Sequence, residues 1–372
     1  MKKTLLAAAL ALGFAGVAQA ETSVTLYGVV DGGIGYTRFK HDSGIKATKT
    51  GLIDGVQNGN RWGLRGSEDL GNGLRAIFQL ESGYSLADGS SAQGGRLFGR
   101  EASLGLQSDN WGTLKLGRQT NFASRFLGGV ASPFGDAFKE AHVGSSFTSM
   151  ATVRSDNMVT YETPSFSGFR FGVGYSFNTN GSQNWDVKGL PTGVPNPDDS
   201  NVKLITTALL YANGPIAVGA SYDQLDAENW DSKVKAWNLA GSYDFEVVKL
   251  HLGFGQERKG TLAARGVNFG SGISIGHGAG FLHDSYKANN YSVGLSAPVG
   301  TGNIMVGWQS SRLSSGAFKD AAEENSQNLY SIGYTYPFSK RTNLYAVGTY
   351  GDGYAFTDTD VTQVIVGLRH RF

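Results

Sequence analysis

The sequence of 372 residues contains no cysteine, which excludes disulfide staples and cysteine-based metal or redox sites. It also lacks an excess of one charge: it has 32 basic and 31 acidic residues, whereas a nucleic-acid-binding protein would have a surplus of basic residues. Beyond the first twenty residues, no apolar run of about 18 residues occurs, so no membrane-spanning helix is predicted there. Only 40% of the residues are hydrophobic, and continuous apolar runs that would fill the core of a soluble protein of this size are missing.

The start of the chain has the pattern of a secretory signal peptide. Two lysines follow Met1, residues 5–17 are apolar, and Ala18-Gln19-Ala20 is an A-x-A cleavage site. The apolar run is too short to span a bilayer. Cleavage is therefore predicted between Ala20 and Glu21, so that residues 1–20 are removed and residues 21–372 form one exported domain.

Glycine is abundant, with 54 residues, about twice its ordinary share of roughly 7%. Between residues 169 and 177, every second residue is aromatic or valine, and glycine, serine or arginine lies between them. Because side chains alternate between the two faces of a strand, one face of this segment is apolar and the other small or polar. The same alternation recurs in residues 61–65, 74–81, 216–223, 237–244, 304–309 and 363–369.

Sixteen segments are predicted as strands from this alternation. They are residues 23–37, 59–68, 74–84, 96–107, 113–120, 154–165, 169–178, 202–212, 215–224, 234–245, 248–257, 287–297, 303–312, 328–337, 343–351 and 361–372. Short turns and long polar segments alternate between them, which is typical of the periplasmic turns and external loops of bacterial barrels. Aromatic residues cluster at strand ends, where interfacial girdles belong. The pattern predicts an all-β, 16-stranded antiparallel transmembrane β-barrel with a water-filled interior.

Several motifs resemble those of one protein family. They are Ser23-Val24-Thr25-Leu26-Tyr27-Gly28, Arg61-Trp62-Gly63-Leu64-Arg65-Gly66-Ser67-Glu68-Asp69-Leu70-Gly71, Phe78-Gln79-Leu80-Glu81-Ser82-Gly83, Gly112-Thr113-Leu114-Lys115-Leu116-Gly117-Arg118-Gln119 and Val366-Gly367-Leu368-Arg369-His370-Arg371-Phe372. In this order they resemble the general porins of Gram-negative bacteria, and most closely the betaproteobacterial Bordetella and Neisseria type. The resemblance implies trimers of 16-stranded barrels. Each barrel would have its own pore for passive diffusion, narrowed by an inward-folded third external loop.

The residues between Gln119 and Arg154 form a long segment with little strand pattern, and such segments are usually functional. The resemblance identifies this segment as the third external loop. Pro133-Phe134-Gly135-Asp136 resembles the family's loop-tip motif, although the glutamate that some members carry between proline and phenylalanine is missing. Asp136 and Glu140 are therefore the candidate acids of the pore constriction.

The candidate bases of the constriction are arginines on the barrel wall. Arg61, Arg65 and Arg75 face the lumen by alternation, and an arginine facing lipid would cost roughly 2–4 kcal/mol near the midplane. The resemblance adds Arg154 and Arg100. Alternation with the apolar residues that follow Arg100 would turn that side chain outward, so its facing stays open at this stage. The excess of arginine over acid predicts a mild anion preference.

The last residue, Phe372, matches the terminal phenylalanine of outer-membrane barrels, which the resemblance ties to recognition by the barrel-assembly machinery. The other expected partners are two further copies of the chain, outer-membrane lipid including lipopolysaccharide, and small solutes and ions. No nucleic acid, metal or cofactor is expected, and the predicted location is the outer membrane.

Three other functions compete with a general porin. An outer-membrane enzyme needs a nucleophile beside a base, and the six histidines are scattered: His41, His142, His251, His277, His283 and His370. A substrate-specific sugar channel resembles an 18-stranded barrel with aromatic residues along the pore, whereas alternation turns most strand aromatics outward here. A barrel with a plugged lumen would differ from a pore in its single-channel conductance.

Overall fold

The computed structural model describes residues 23–270 and 272–372. The predicted signal peptide and the cleavage site between Ala20 and Glu21 lie outside the described residues. Within those ranges, no helix has the length and apolar content needed to cross a bilayer. The strands are β1 Ser23–His41, β2 Lys46–Asp54, β3 Arg61–Gly71, β4 Leu74–Gly83, β5 Glu101–Ser108, β6 Gly112–Thr120, β7 Arg154–Glu162, β8 Phe169–Ser176, β9 Lys203–Asn213, β10 Ile216–Asp226, β11 Val234–Asp244, β12 Lys249–Gly260, β13 Arg265–Gly270, β14 Ile273–His277, β15 Leu282–Val299, β16 Gly302–Leu313, β17 Ser326–Pro337, β18 Thr342–Asp352 and β19 Thr359–Arg371. The helices are α1 Ala92–Gly95, α2 Phe122–Ala131 and α3 Ala317–Ala321, with 3-10 turns at Lys139–Ala141, Val143–Ser145, Pro197–Ser200 and Tyr354–Phe356.

The barrel is a single antiparallel sheet closed by pairing of β1 with β19. On its other edge, β1 pairs with two strands: its first half with β3, as in Leu26 opposite Leu64, and its second half with β2, as in Ile34 opposite Leu52. β2 and β3 therefore share one position in the barrel, interrupted by residues 55–60. The described residues thus form sixteen strand positions, which confirms the predicted antiparallel barrel.

Two structured segments lie where the sequence predicts loops. β2 lies in the segment 38–58. It was not predicted as a strand because its outward residues Lys46, Thr48 and Thr50 are polar and give no apolar alternation. β13 and β14 form a separate two-stranded hairpin within residues 258–286, where no strand is predicted. We call β13 and β14 the cap hairpin.

Apolar side chains point away from the barrel axis and polar side chains point inward. Ile34 is 73% exposed and Leu104 is 61% exposed on the outer face, whereas Thr206 and Asn238 are fully buried inside. This arrangement inverts that of a soluble protein. It suits a barrel whose outer face meets lipid, because pairing of β1 with β19 closes the sheet.

The third external loop, residues 121–153, folds into the barrel as expected, and we call it the lumen loop. Its helix α2 buries Phe122 and Leu127 completely. Both side chains lie against inward-facing glycines, Gly172 of β8 and Gly219 of β10, where any side chain would overlap them. The glycine-rich inner wall therefore provides the room in which the lumen loop packs.

Candidate functional site

A polar gap of about 530 Å³ separates the lumen loop from the wall formed by β3 to β7. Its lining consists almost entirely of charged, amide and hydroxyl side chains. The lining residues are Arg61, Gln79, Glu81, Arg100, Glu101, Lys115, Gln119, Thr120, Ser124, Arg125, Gly129, Asp136, Thr152 and Arg154. The gap thus brings together Arg61, Arg100, Arg154 and Asp136 of the residues singled out from the sequence.

Glu81 on β4 lies at the centre of the arginine side of the gap. The Tyr27 hydroxyl donates to its carboxylate at 3.0 Å, and Arg100 Nε donates at 2.6 Å. The Nη1 atom of Arg61 is 3.8 Å from the same carboxylate. The inward direction of Arg100 follows from its position one residue before β5 begins at Glu101, so the alternation of that strand does not apply to it.

Arg154 is the first residue of β7 and lies where the lumen loop returns to the wall. Among the described residues, its guanidinium makes neither an ion pair nor a side-chain hydrogen bond. Five cationic side chains line the gap against three carboxylates, which leaves an excess of two positive charges. An uncompensated guanidinium in a narrow passage attracts anions and raises their local concentration.

The two candidate acids lie in different surroundings. Asp136 is exposed to the gap and accepts a hydrogen bond from the Thr152 hydroxyl at 2.9 Å. Glu140, the second candidate acid, does not line the gap. The chain turns at Phe138, which has a left-handed backbone, and Glu140 accepts a hydrogen bond from Tyr354 at 2.9 Å on the far side of the loop. Burial there raises the pKa of the Glu140 carboxyl.

The remaining two predicted wall arginines lie nearer the periplasmic end. Arg65 lines a separate cavity, and its guanidinium is 5.3 Å from the centre of the Tyr27 ring. Arg75 pairs with Asp109 beside a short turn and does not line the gap. Alternation indicated the face of the strand correctly, but β4 begins at Leu74, which leaves Arg75 at the rim.

The loop motif attaches the lumen loop to the opposite wall. Pro133 packs on Gly294, and the buried Phe134 ring lies over Gly307 and Gly333. Gly135 follows with φ of 56°, a left-handed conformation that glycine adopts at little cost. The motif therefore fixes the position of Asp136 rather than contacting the passage itself.

Four charged residues of the gap, Glu81, Glu101, Lys115 and Arg125, were not among the sequence predictions. Glu81 lies two residues from the inward Gln79, so alternation would have placed it inward as well. Lys115, which pairs with Glu101, lies between two outward leucines and would also have been placed inward. Arg125 carried no such signal, because it lies on the helix of the lumen loop. It pairs with Glu162 at 2.5 Å and adds a base on the loop side, where only acids were expected.

The lumen loop is joined to the cap hairpin by a buried ion pair. Arg265 of β13 is 2.9 Å from Glu257 of β12, and both side chains are almost fully buried. Arg265 also donates to the Ser146 carbonyl at 2.7 Å, and Glu257 accepts from the backbone and hydroxyl of Thr148 at 2.6 and 2.7 Å. One ion pair therefore holds both the cap hairpin and the part of the lumen loop around Ser146 and Thr148.

The sequence pattern of the family described as Gram-negative porin matches residues 6–355. The chain belongs to this family. It is 50% identical to an outer membrane porin protein of Bordetella pertussis over the full length of both chains. It is 30% identical to outer membrane porin protein 32 of Delftia acidovorans, again over both full lengths.

Among solved structures, the anion-selective porin from Comamonas acidovorans superposes with a TM-score of 0.72 at 26% identity, covering 95% of this chain and 100% of that one. OmpF of Salmonella typhi shares the fold with a TM-score of 0.63 at 16% identity, covering 94% and 97%. Barrel, family and relatives together confirm the predicted outer-membrane location and passive diffusion channel. The family is one of channels rather than enzymes.

Proposed function

We propose that the polar gap is the selectivity constriction of this porin and that it gives a mild preference for anions. Arg61, Arg100 and Arg154 form its basic side, and Asp136 on the lumen loop forms its acidic side. The observation that carries this proposal is the excess of two positive charges in the gap, which includes Arg154, a residue with no ion pair in the described part of the chain.

Two features of the gap support this selectivity. Opposed rows of basic and acidic groups produce a field across a narrow passage, which orients dipolar solutes and biases ion flow. The low-dielectric wall and the packed lumen loop focus that field more strongly than open water would. The anion-selective porin from Comamonas acidovorans, which has the same fold, is consistent with the direction of the bias.

The test is the reversal potential of the purified protein in a planar bilayer under a potassium chloride gradient. The wild type should favour chloride, and Arg154→Glu should move the reversal potential toward potassium. Arg75→Glu is the matched control, since it introduces the same charge change outside the gap and should shift the potential much less. Clear cation selectivity of the wild type, or equal shifts in both variants, would contradict the proposal.

We also propose that three copies form the functional trimer, that the chain catalyses no reaction, and that residues 1–20 are cleaved on export, leaving 21–372. The outer faces of β5 and β6 support an interface, because Leu104, Leu106, Leu114 and Leu116 are exposed side by side. N-terminal sequencing of the outer-membrane protein should begin at Glu21. Cross-linking in the membrane should stop at trimers.

The barrel-assembly machinery and lipopolysaccharide are the remaining proposed partners. The main chain of Phe372 exchanges two hydrogen bonds with Gly28, at 3.0 and 3.1 Å, so the last residue joins the two edges of the barrel. Deleting Phe372 should lower the amount of assembled trimer in the outer membrane, as judged by heat-modifiable migration on gels. Replacing it with tyrosine is the control and should retain assembly.

A further inference from the structure

Four basic side chains lie side by side at the external end of the barrel, and we call them the basic row. Lys235 of β11, Arg258 of β12 and Lys287 of β15 are direct cross-strand partners. Arg312 of β16 lies opposite Asn289, one step diagonally from Lys287. Direct partners in an antiparallel sheet are about 5 Å apart, so the row forms one continuous patch.

The basic row faces away from the barrel axis. Each member lies an even number of residues from an exposed apolar residue of its own strand, and side chains two apart share a face. These apolar residues are Leu239, Leu252, Val293 and Val306. The row therefore belongs to the outer surface and takes no part in the passage of solutes.

The charges of the basic row have no acidic partner. Within the described ranges, none of its four members forms an ion pair, and the outward positions of β11, β12, β15 and β16 hold no aspartate or glutamate. The neighbouring acid Glu257 points inward and is fully buried. Like charges directly opposite each other destabilise a sheet, so the row favours an external anion.

Two members of the row are also held in position. Arg258 Nε donates to the Gln256 side chain at 2.6 Å, and among residues 23–270 and 272–372 neither terminal nitrogen of the guanidinium has a hydrogen-bond partner. The Arg312 guanidinium lies 5.9 Å from the centre of the Tyr291 ring. Arginine held in this way binds the oxygens of a phosphate with paired hydrogen bonds.

An aromatic band lies directly below the basic row. The rings of Trp237, Phe254 and Tyr291 follow one another at 5.4 and 5.3 Å. Such bands mark the membrane interface of outer-membrane barrels. Arg258 is four residues beyond Phe254, about 13 Å along the strand, which puts the row at the level of lipid headgroups.

We propose that the basic row binds the phosphate groups of an anionic lipid in the outer leaflet, whose acyl chains cover the aromatic band and the aliphatic surface below it. Adjacent apolar surface favours a lipid over a free phosphate ion, which would contact only the charges. This proposal specifies where the lipid partner of the proposed function binds, and it rests on that function. It does not depend on the proposed selectivity of the pore.

The experiment uses the folded full-length protein in uncharged detergent micelles, titrated with bisphosphorylated lipid A in the same detergent. The wild type should bind saturably, and binding should weaken as salt is raised. Arg258→Gln combined with Lys287→Gln should weaken the apparent affinity about tenfold or more. The control pair, Arg38→Gln with Lys40→Gln, also lies on the outer face at the external end and should bind like the wild type.

Unchanged affinity in the Arg258 and Lys287 variant would overturn the proposal. So would an equal loss in the control pair, or equal binding of lipid A from which both phosphates have been removed. Channel conductance is measured on the same preparations. Wild-type conductance with lost lipid binding supports the proposal, whereas a wild type that conducts no ions would count against the proposed pore function instead.

Discussion

At the scale of single residues, Glu81 determines how much positive charge the gap presents. It accepts a hydrogen bond from Arg100 at 2.6 Å but leaves Arg61 at 3.8 Å, so it compensates one arginine more completely than the other. Arg154 has no ion pair within the described chain. The selectivity of the gap is therefore set by an inward acid on the wall as well as by the arginines around it.

Replacing this acid gives a direct prediction. Glu81→Gln removes one negative charge but keeps a hydrogen-bond acceptor for Arg100, so the anion preference should increase. Reversal potentials in a salt gradient measure the change. Glu68→Gln, near the periplasmic end of β3 and outside the gap, is the control and should leave the potential nearly unchanged. A shift toward cations in Glu81→Gln would show that the acid does not act through charge.

His142 on the lumen loop gives a prediction for pH. Burial lowers the pKa of its imidazole to about 4, below the value of about 6.5 expected in an unfolded chain. The packed loop therefore favours neutral histidine, and its stability should be unaffected above pH 6.5 and decrease as the pH falls toward 4. Channel closures should become more frequent over this range.

Single-channel records at stepped pH would measure this effect. In His142→Gln, the part of the pH dependence between 6.5 and 4 that comes from this imidazole should disappear, while closures due to other groups continue. Identical pH profiles for the wild type and the variant would contradict the assignment.

Among the secondary-structure elements, the position of the lumen loop depends on wall residues without side chains and on one ion pair. Inward glycines on β8 and β10 leave room for Phe122 and Leu127, and the pair of Arg265 and Glu257 holds residues 146–148. Removing one partner of a buried ion pair costs about 3–5 kcal/mol, because the other charge stays buried without compensation.

Arg265→Met should therefore loosen the lumen loop and the cap hairpin together. We expect noisier open-channel current and a lower thermal midpoint of trimer dissociation. Adding Glu257→Gln should recover part of the lost stability, since no buried charge then stays unpaired. If the double variant loses as much stability as the two single variants lose together, the two residues are not coupled and the prediction is contradicted.

At the scale of the whole molecule, the lumen is filled unevenly. Apolar clusters of the lumen loop pack against β9 to β12 and against β16 to β19, and the cap hairpin lies over the external mouth with Phe269 against Phe39 at 5.4 Å. The polar gap lies on the opposite side, along β3 to β7. Solutes would then pass along one side of the barrel.

Deleting residues 267–275, which removes the tip of the cap hairpin but keeps Arg265, tests this arrangement. The external mouth should widen, so conductance should increase moderately, while the anion preference set by the gap should stay the same. Conductance and reversal potential are measured on the same channels, and gel migration of the trimer checks the fold. A change in selectivity as large as that of Arg154→Glu would contradict the separation of mouth and constriction.

Some features of the site were predictable from the sequence because they depend only on residues adjacent in the chain. Arg61 and Arg65 face inward as alternation predicted. The same rule predicted the face of Arg75 but not its distance from the gap. Alternation would have turned Arg100 outward, because the predicted strand included it, whereas β5 begins one residue later. Alternation gave no information about Arg125 on the loop helix.

Side-chain alternation was enough to predict the barrel, its sixteen strand positions and the faces of most strand residues, because a period of two is a local property of each strand. Which charges meet in the gap depends instead on how the lumen loop folds against the wall. Glu140 and Asp136 are four residues apart, yet a left-handed turn sends one toward Tyr354 and the other toward the passage. Loop packing against a distant wall depends on contacts between residues far apart in the chain, and no local pattern encodes those contacts.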